Sequence, residues 1–187
     1  MAYGETMRRL SPCGDEYVAR LVGDAGSVLD VGCGRGDRLS YLAQMGTKRL
    51  CGAEPDPENA ALARRNCPAA EITECGAASL PYPTGSFDAV LSECSFYVSG
   101  DVHGALREAY RLLKSGGLLL LSDVFTADPS SLLREAGFDI LHAEDLTPQW
   151  REYYLEMLWR EDDACRLPHV KCTYWIIIGR RKEDGPV

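Results

Sequence analysis

Basic residues are in deficit in this sequence: 20 Lys and Arg stand against 28 Asp and Glu, a net charge of −8. A chain of that sign repels phosphate backbones and anionic lipid, so neither nucleic acid nor a membrane surface is an expected partner. Long apolar runs are missing too. Stretches such as GLLLL (117–121) and YWIIIG (174–179) fall far short of the ~20 residues that cross a bilayer, so no membrane span is expected. The first residues, MAYGETMRRLSPCGDEY, lack the apolar segment of a secretion signal, and a cytoplasmic location is expected. Cysteine is plentiful, with eight residues, but no two form a CxxC pair and the spacing fits no zinc pattern. Reduced thiols, several buried as small hydrophobes, are therefore expected, and no metal site.

What the sequence does contain is alternation. Runs rich in Val, Ile and Leu follow amphipathic stretches in turn, the pattern of a parallel sheet covered by helices on both faces. The expected order is a lead-in helix (15–22), strand SVLDVG, a helix through Gln44, strand RLCGAE, a helix over PDPENAALARRN and strand AEITEC. After the turn-rich LPYPTGS come strand FDAVLSEC, a helix over DVHGALREAYRLLKSGG stopped by its glycines, and strand GLLLLSDV. A short helix (130–136), strand FDILHAED, a long helix (148–163) and strand CTYWIIIGRR complete the chain. With no internal repeat or linker, 187 residues read as one open α/β domain.

Chemistry concentrates first in VLDVGCGRG (28–36), where Gly32, Gly34 and Gly36 follow a strand. Ligands of open α/β sheets bind beyond the carboxyl ends of the strands, and glycines there permit tight turning and close backbone approach. A dinucleotide site has the form GxGxxG, whereas the spacing here is GxGxG. Asp30, two residues before the first glycine, would also repel a pyrophosphate.

The stretch resembles the first motif of class I S-adenosylmethionine-dependent methyltransferases, an acid followed by GxGxG. A carboxylate suits that cofactor, which carries a sulfonium and an ammonium and no phosphate. LPYPTGSFDAVLS (80–92) resembles the LPFPDGSFDAV stretch of the ubiquinone and menaquinone methyltransferase-like group, and LREAYRLLKSGGLLLLSD (106–123) resembles its RVLKPGG segment. The resemblance implies a Rossmann-like seven-stranded sheet, mostly parallel, in the order 3-2-1-4-5-7-6 with the last strand antiparallel. It divides the chain into an N-terminal lid and helix (1–27), a core (28–181) and a flexible tail (182–187), with Tyr3, Met7 and Arg8 in the lid.

The same resemblance assigns Asp30, Gly32, Cys33, Gly34, Glu54, Pro55, Gly76, Ala77, Ala78 and Glu93 to the cofactor. Glu54, at the end of the second strand, can accept from both ribose hydroxyls. Relatives place an acid for the adenine amino group where this chain has Gly76, leaving the backbone of Ala77 and Ala78 to hold the base. Glu93 and Cys94, at the end of the fourth strand, and Tyr97, just after it, are the candidate catalytic residues, with Glu93 a base for a hydroxyl or amine acceptor. His103, in a first helical turn, and Asp123, at the end of the fifth strand, are expected to be structural. The function implied is in-line methyl transfer from S-adenosylmethionine to a small-molecule acceptor, releasing S-adenosylhomocysteine. Two alternatives stand: a non-catalytic binder of either compound, and a methyltransferase for a thiophile such as arsenite, prompted by Cys13 and Cys94. A pocket left open by a short chain also suits completion by a second subunit, a homodimer.

Overall fold

The computed structural model of the protein describes residues 15–23, 25–159 and 172–183. The proposed lid residues Tyr3, Met7 and Arg8, the cysteines Cys13 and Cys165, positions 160–163 of the expected last helix and positions 184–187 of the tail lie outside them. The elements run α1 (Asp15–Val22), β1 (Ser27–Val31), α2 (Asp37–Gln44), β2 (Arg49–Ala53), α3 (Pro57–Asn66), β3 (Ala70–Thr73) and β4 (Phe87–Glu93). Then follow α4 (Val102–Leu112), β5 (Leu113–Phe125), α5 (Ser130–Glu135), β6 (Phe138–Asp145), α6 (Thr147–Trp159) and β7 (Thr173–Arg181).

The strands form one seven-stranded sheet in the order β3-β2-β1-β4-β5-β7-β6, as expected. β1 pairs in parallel with β2 and β4, whereas β7 runs antiparallel to both β5 and β6. Successive side chains of a strand point to opposite faces, which is why the apolar runs are continuous. Val28, Leu120, Ile176 and Ile178 join one buried cluster with Val18, Leu39, Leu42, Ala63 and Trp150 from α1, α2, α3 and α6. Their neighbours Leu29, Leu119, Leu121 and Ile177 join the other, with Leu106, Ala109, Leu112 and Leu133 from α4 and α5. Helices thus cover both faces. The chain leaves β1 in one lateral direction toward β2 and β3 and in the other toward β4 and β5, so the crevice of an open sheet falls at the carboxyl ends of β1 and β4.

Local chemistry sets the helix starts. Asp56 caps α3 by accepting from Glu58 N and Asn59 N, each at 2.9 Å, and Pro57 occupies a first-turn position where no intrahelical N–H is needed. Asp101 caps α4 through Gly104 N at 2.8 Å.

One boundary differs from expectation. The sequence assigns LLKSGG to the end of a helix with a glycine stop, but α4 ends at Leu112 and β5 already begins at Leu113. Leu113 is fully buried and extended, and its carbonyl accepts from Arg181, so it belongs to the sheet and not to a helical turn. Residues 114–117 then bulge out: Leu113 pairs with Phe87 but Leu118 with Ala89. A Cβ on Gly117 would lie 2.9 Å from Lys114 O and 3.1 Å from Asp88 O, so the glycine serves this close crossing of strands and does not cap a helix. Strands β3 and β4 also stop earlier than expected, releasing Cys75 and Cys94 into loops at the crevice.

Candidate functional site

The turn after β1 is held by β2: Gly32 N and Cys33 N donate to Ala53 O at 2.7 and 3.1 Å. Gly32, at φ +77°, lies so close to the segment after β4 that a Cβ would sit 2.3 Å from Ser95 Cβ. Gly36, at φ +82°, abuts α3, with Ala63 Cα 3.0 Å from its would-be Cβ. Gly34 contributes its amide, which donates to Glu54 Oε2 at 2.9 Å. Glu54 Oε1 accepts from Asp56 N at 3.0 Å, so each carboxylate oxygen is fixed by one amide and keeps a second lone pair. Glu54 is 7% exposed and stands in the wall of a cavity of about 490 Å³.

That cavity brings together Gly32, Glu54, Pro55, the run Cys75 to Ala78, and Cys94, Ser95, Val98 and Ser99. Of the residues singled out from sequence, Gly32, Glu54, Pro55, Gly76, Ala77, Ala78 and Cys94 line it, whereas Asp30, Cys33, Gly34, Glu93 and Tyr97 do not. Cys75, Ser95, Val98 and Ser99 escaped sequence reasoning. The signal that could have found them is their place in the loops leaving β3 and β4, between or beside residues already named.

The residues set back from the wall shape its field. Asp30, 3% exposed, lies in β1 between Gly52 of β2 and Leu91 of β4. Burial first, then the charge of Glu93, raise its carboxyl to about 8, while Arg38 opposes the shift. Cys33 points into the core, where its Sγ would be 2.7 Å from a Cβ on Gly52, and burial pushes its thiol up. Glu93 receives a two-pronged contact from Arg38, Nε to Oε2 at 2.7 Å and Nη2 to Oε1 at 3.1 Å, with the side chains 5% and 13% exposed. It therefore ties β4 to the first turn of α2.

Cys94 has φ +56°, the sole non-glycine residue in the left-handed region among the described residues. Its Sγ lies 3.4 Å from Tyr174 Oη, which in turn is 2.8 Å from Ser122 Oγ. Burial, and next the charge of Asp123, push the thiol up to about 12, so it is neutral at pH 7. Ser95 Oγ donates to Val31 O at 2.7 Å and contacts Ser92 Oγ at 2.6 Å, pinning β4's exit to β1's. Tyr97 is 39% exposed outside the wall; its amide donates to Asp123 Oδ2 at 3.0 Å. Asp123, 2% exposed, also accepts from Val124 N at 2.8 Å and is raised by burial to about 6, so it braces the turn after β4. His103 is exposed in the first turn of α4.

Comparison with known proteins agrees with this geometry. Residues 29–121 match a family described as a methyltransferase domain. The sarcosine/dimethylglycine N-methyltransferase of Halorhodospira halochloris is 32% identical over 165 residues, covering 81% of this chain and 59% of that protein. The arsenite methyltransferase of Aquipseudomonas alcaligenes is 35% identical over 135 residues, 65% of this chain and 38% of that one. Demethylmenaquinone methyltransferases match as well. The chain thus spans less than two thirds of the length of the curated relatives it matches. Geranyl diphosphate C-methyltransferase from Streptomyces coelicolor, solved with S-adenosyl-L-homocysteine, superposes with a TM-score of 0.71 at 19% identity, over 89% of this chain and 77% of that one. Sheet order, glycine turn and these matches define a single class: residues 29–121 match the methyltransferase-domain family, and the fold is that of the class I S-adenosylmethionine-dependent methyltransferases.

Proposed function

We propose that the protein transfers a methyl group from S-adenosylmethionine to a small-molecule acceptor, using residues 28–181 as its working unit in the cytoplasm. One observation carries the reading most: Glu54 stands in the cavity wall with both oxygens prearranged by Gly34 N and Asp56 N, and each retains a lone pair for a ribose diol. The wider donor set agrees. Glu93, Glu54 and Arg38 all act on the buried carboxyl of Asp30, and this acidic set suits a ligand bearing a sulfonium and an ammonium, whose positive charge would favour the ionised form of Asp30. The bound cofactor would supply an electrophilic methyl group; the chain's part is to bind, align and keep water out.

In that division of labour Gly32 and Gly34 allow the main chain to approach the amino-acid end, and Pro55, Gly76, Ala77 and Ala78 enclose the nucleoside. Cys94, neutral at pH 7, offers shape and a soft surface to the acceptor and no nucleophile. Glu93, engaged by Arg38, positions the turn and contributes charge; it is a poor candidate for proton abstraction. Tyr97 and the 76% exposed Val98 stand at the mouth, where the N-terminal segment with Tyr3, Met7 and Arg8, or a second subunit, would close over the acceptor.

Titration calorimetry with S-adenosylmethionine and S-adenosylhomocysteine tests the reading, and no heat from either at millimolar concentration refutes it. A turnover assay over amines, quinols, thiols and metalloids, reading S-adenosylhomocysteine formed, separates the enzyme from a non-catalytic binder. The thiophile alternative draws on Cys75 and Cys94 in one wall and on the arsenite-methylating relative. Among the described residues, however, no group of three or more His, Cys, Asp or Glu could hold a metal ion. Undiminished arsenite binding by a Cys94→Ser variant would remove that alternative.

A further inference from the structure

The segment after β4 supplies Ser95, Val98 and Ser99 to the cavity wall, and what holds the segment lies behind that wall. Two hydrogen bonds tie its start to the end of β5: Cys94 N donates to Ser122 O at 2.8 Å and Tyr97 N to Asp123 Oδ2 at 3.0 Å. The amides of Phe96 and Ser95 also favour the ionised carboxylate of Asp123, and Val124 N donates to its Oδ1 at 2.8 Å. Four main-chain amides, three of them consecutive, thus act on one buried carboxylate that does not itself line the cavity. The segment is also closed on itself, with Ser99 N donating to Ser95 O at 3.1 Å and Ser99 Oγ to Phe96 O at 2.7 Å, so a pull on its start reaches Ser99. Ser95 abuts Gly32 as well, and any shift there is felt at the glycine turn.

We propose that Asp123 is a positioning residue for the methyl transfer proposed above, on which this inference rests: its carboxylate gathers the amides of residues 95–97 and so sets where Ser95, Val98 and Ser99 stand in the cavity. An ionised carboxylate only accepts, whereas a protonated one turns one oxygen into a donor. The amides therefore lose their hold when Asp123 takes a proton. Burial raises this carboxyl to about 6, so the hold is largely intact at about pH 7 and largely lost at about pH 5. Among the described residues, the titratable groups on this side are the Cys94 thiol, on which Asp123 acts, and Glu93, which Arg38 engages. From β7, Trp175 stands opposite Asp123 and Tyr174 opposite Val124. Asp30, raised to about 8, keeps its proton throughout this window. A ligand that needs the ordered wall binds more tightly as pH rises through the titration of Asp123, because the ionised form is the one that holds the wall.

The test uses the full chain and S-adenosylhomocysteine. In titration calorimetry at about pH 5 and about pH 7, the native protein binds about 10-fold more weakly at the lower pH. Asp123→Asn keeps one acceptor oxygen and every other titratable group, and binds at both pH values within about 2-fold of the native protein's weaker affinity. In proton–nitrogen correlation spectra of the ligand-free native protein, the amide signals of Ser95, Phe96, Tyr97 and Val124 move with one shared midpoint near 6, and in Asp123→Asn they do not. Parallel binding profiles for the two proteins overturn the proposal, as do native amide signals without a shared midpoint. Should Asp123→Asn fail to fold, the native amide signals decide. If S-adenosylhomocysteine binds at neither pH, the proposed function falls, and the amide signals still decide whether Asp123 holds the wall.

Discussion

Gly32→Ala is the sharpest probe of how the turn and the segment after β4 are joined. The added methyl would lie 2.3 Å from Ser95 Cβ and 2.6 Å from Ser95 Oγ, at a residue held at φ +77°. Left-handed backbone costs an alanine about 1–2 kcal/mol. The overlap cannot be relieved by a side-chain rotation, because Ser95 Cβ adjoins the main chain. Ser95 must retreat, which stretches its hydrogen bonds to Val31 O at 2.7 Å and Ser92 Oγ at 2.6 Å. At about 1 kcal/mol each these add roughly 2 kcal/mol. The total, about 3–4 kcal/mol, is a large share of an ordinary domain's stability of roughly 5–15 kcal/mol. Urea unfolding of four proteins measures it: native, Gly32→Ala, Ser95→Gly and the double variant. With Ser95 truncated, only the backbone share should remain, so Gly32→Ala should cost about 1–2 kcal/mol in that background. A cost below about 1 kcal/mol in the native background, or an equal cost in both, would refute the steric account.

Further outcomes follow from the buried charges. Because Asp30 titrates near 8 in the fold and near 3.9 when unfolded, the folded state holds a proton that the unfolded chain releases. Its contribution therefore declines as pH rises from about 4 to about 8, at up to about 1.4 kcal/mol per unit, and Asp30→Asn should remove that slope in ligand-free unfolding curves. Parallel slopes for the two proteins would contradict it. Arg38→Met should cost about 3 kcal/mol by the same assay, since it strands the Glu93 carboxylate in a largely buried place; a change below about 1 kcal/mol would mean that water reaches Glu93 freely. Glu54→Gln should weaken S-adenosylhomocysteine by about 10-fold with unchanged circular dichroism, because one carboxylate acceptor becomes a donor. Unaltered affinity would move the ribose away from Glu54.

Much of the site was legible because its parts are local. Asp30, the glycines and Glu54 sit at fixed offsets from strand ends that apolar runs announce, and a strand's carboxyl end is where an open sheet binds ligands. The departure at Gly76 was equally visible, since it is a missing side chain. Less legible was what surrounds each residue. Cys33 lies between Gly32 and Gly34 of the turn, yet its thiol packs against Gly52, because alternate residues of a chain leaving a strand face opposite ways. Glu93 resembles a free acid at the end of a strand until α2 delivers Arg38 to it. The glycines of KSGG satisfy the pattern of a helix stop and instead serve a bulge, a choice made by the pairing of β5 with β4.

By itself the sequence determined the order of elements, the strand-ending acids and the spacing of the glycine turn, because these depend on periodicity and on residues near one another in the chain. Only the tertiary structure decided which carboxylates are engaged, which thiols meet the cavity and which side chains form its wall. Those outcomes depend on loops after β1, β2, β3 and β4 converging at one edge of the sheet. Contacts between segments so distant in sequence are set by the packing of the whole sheet and its helices.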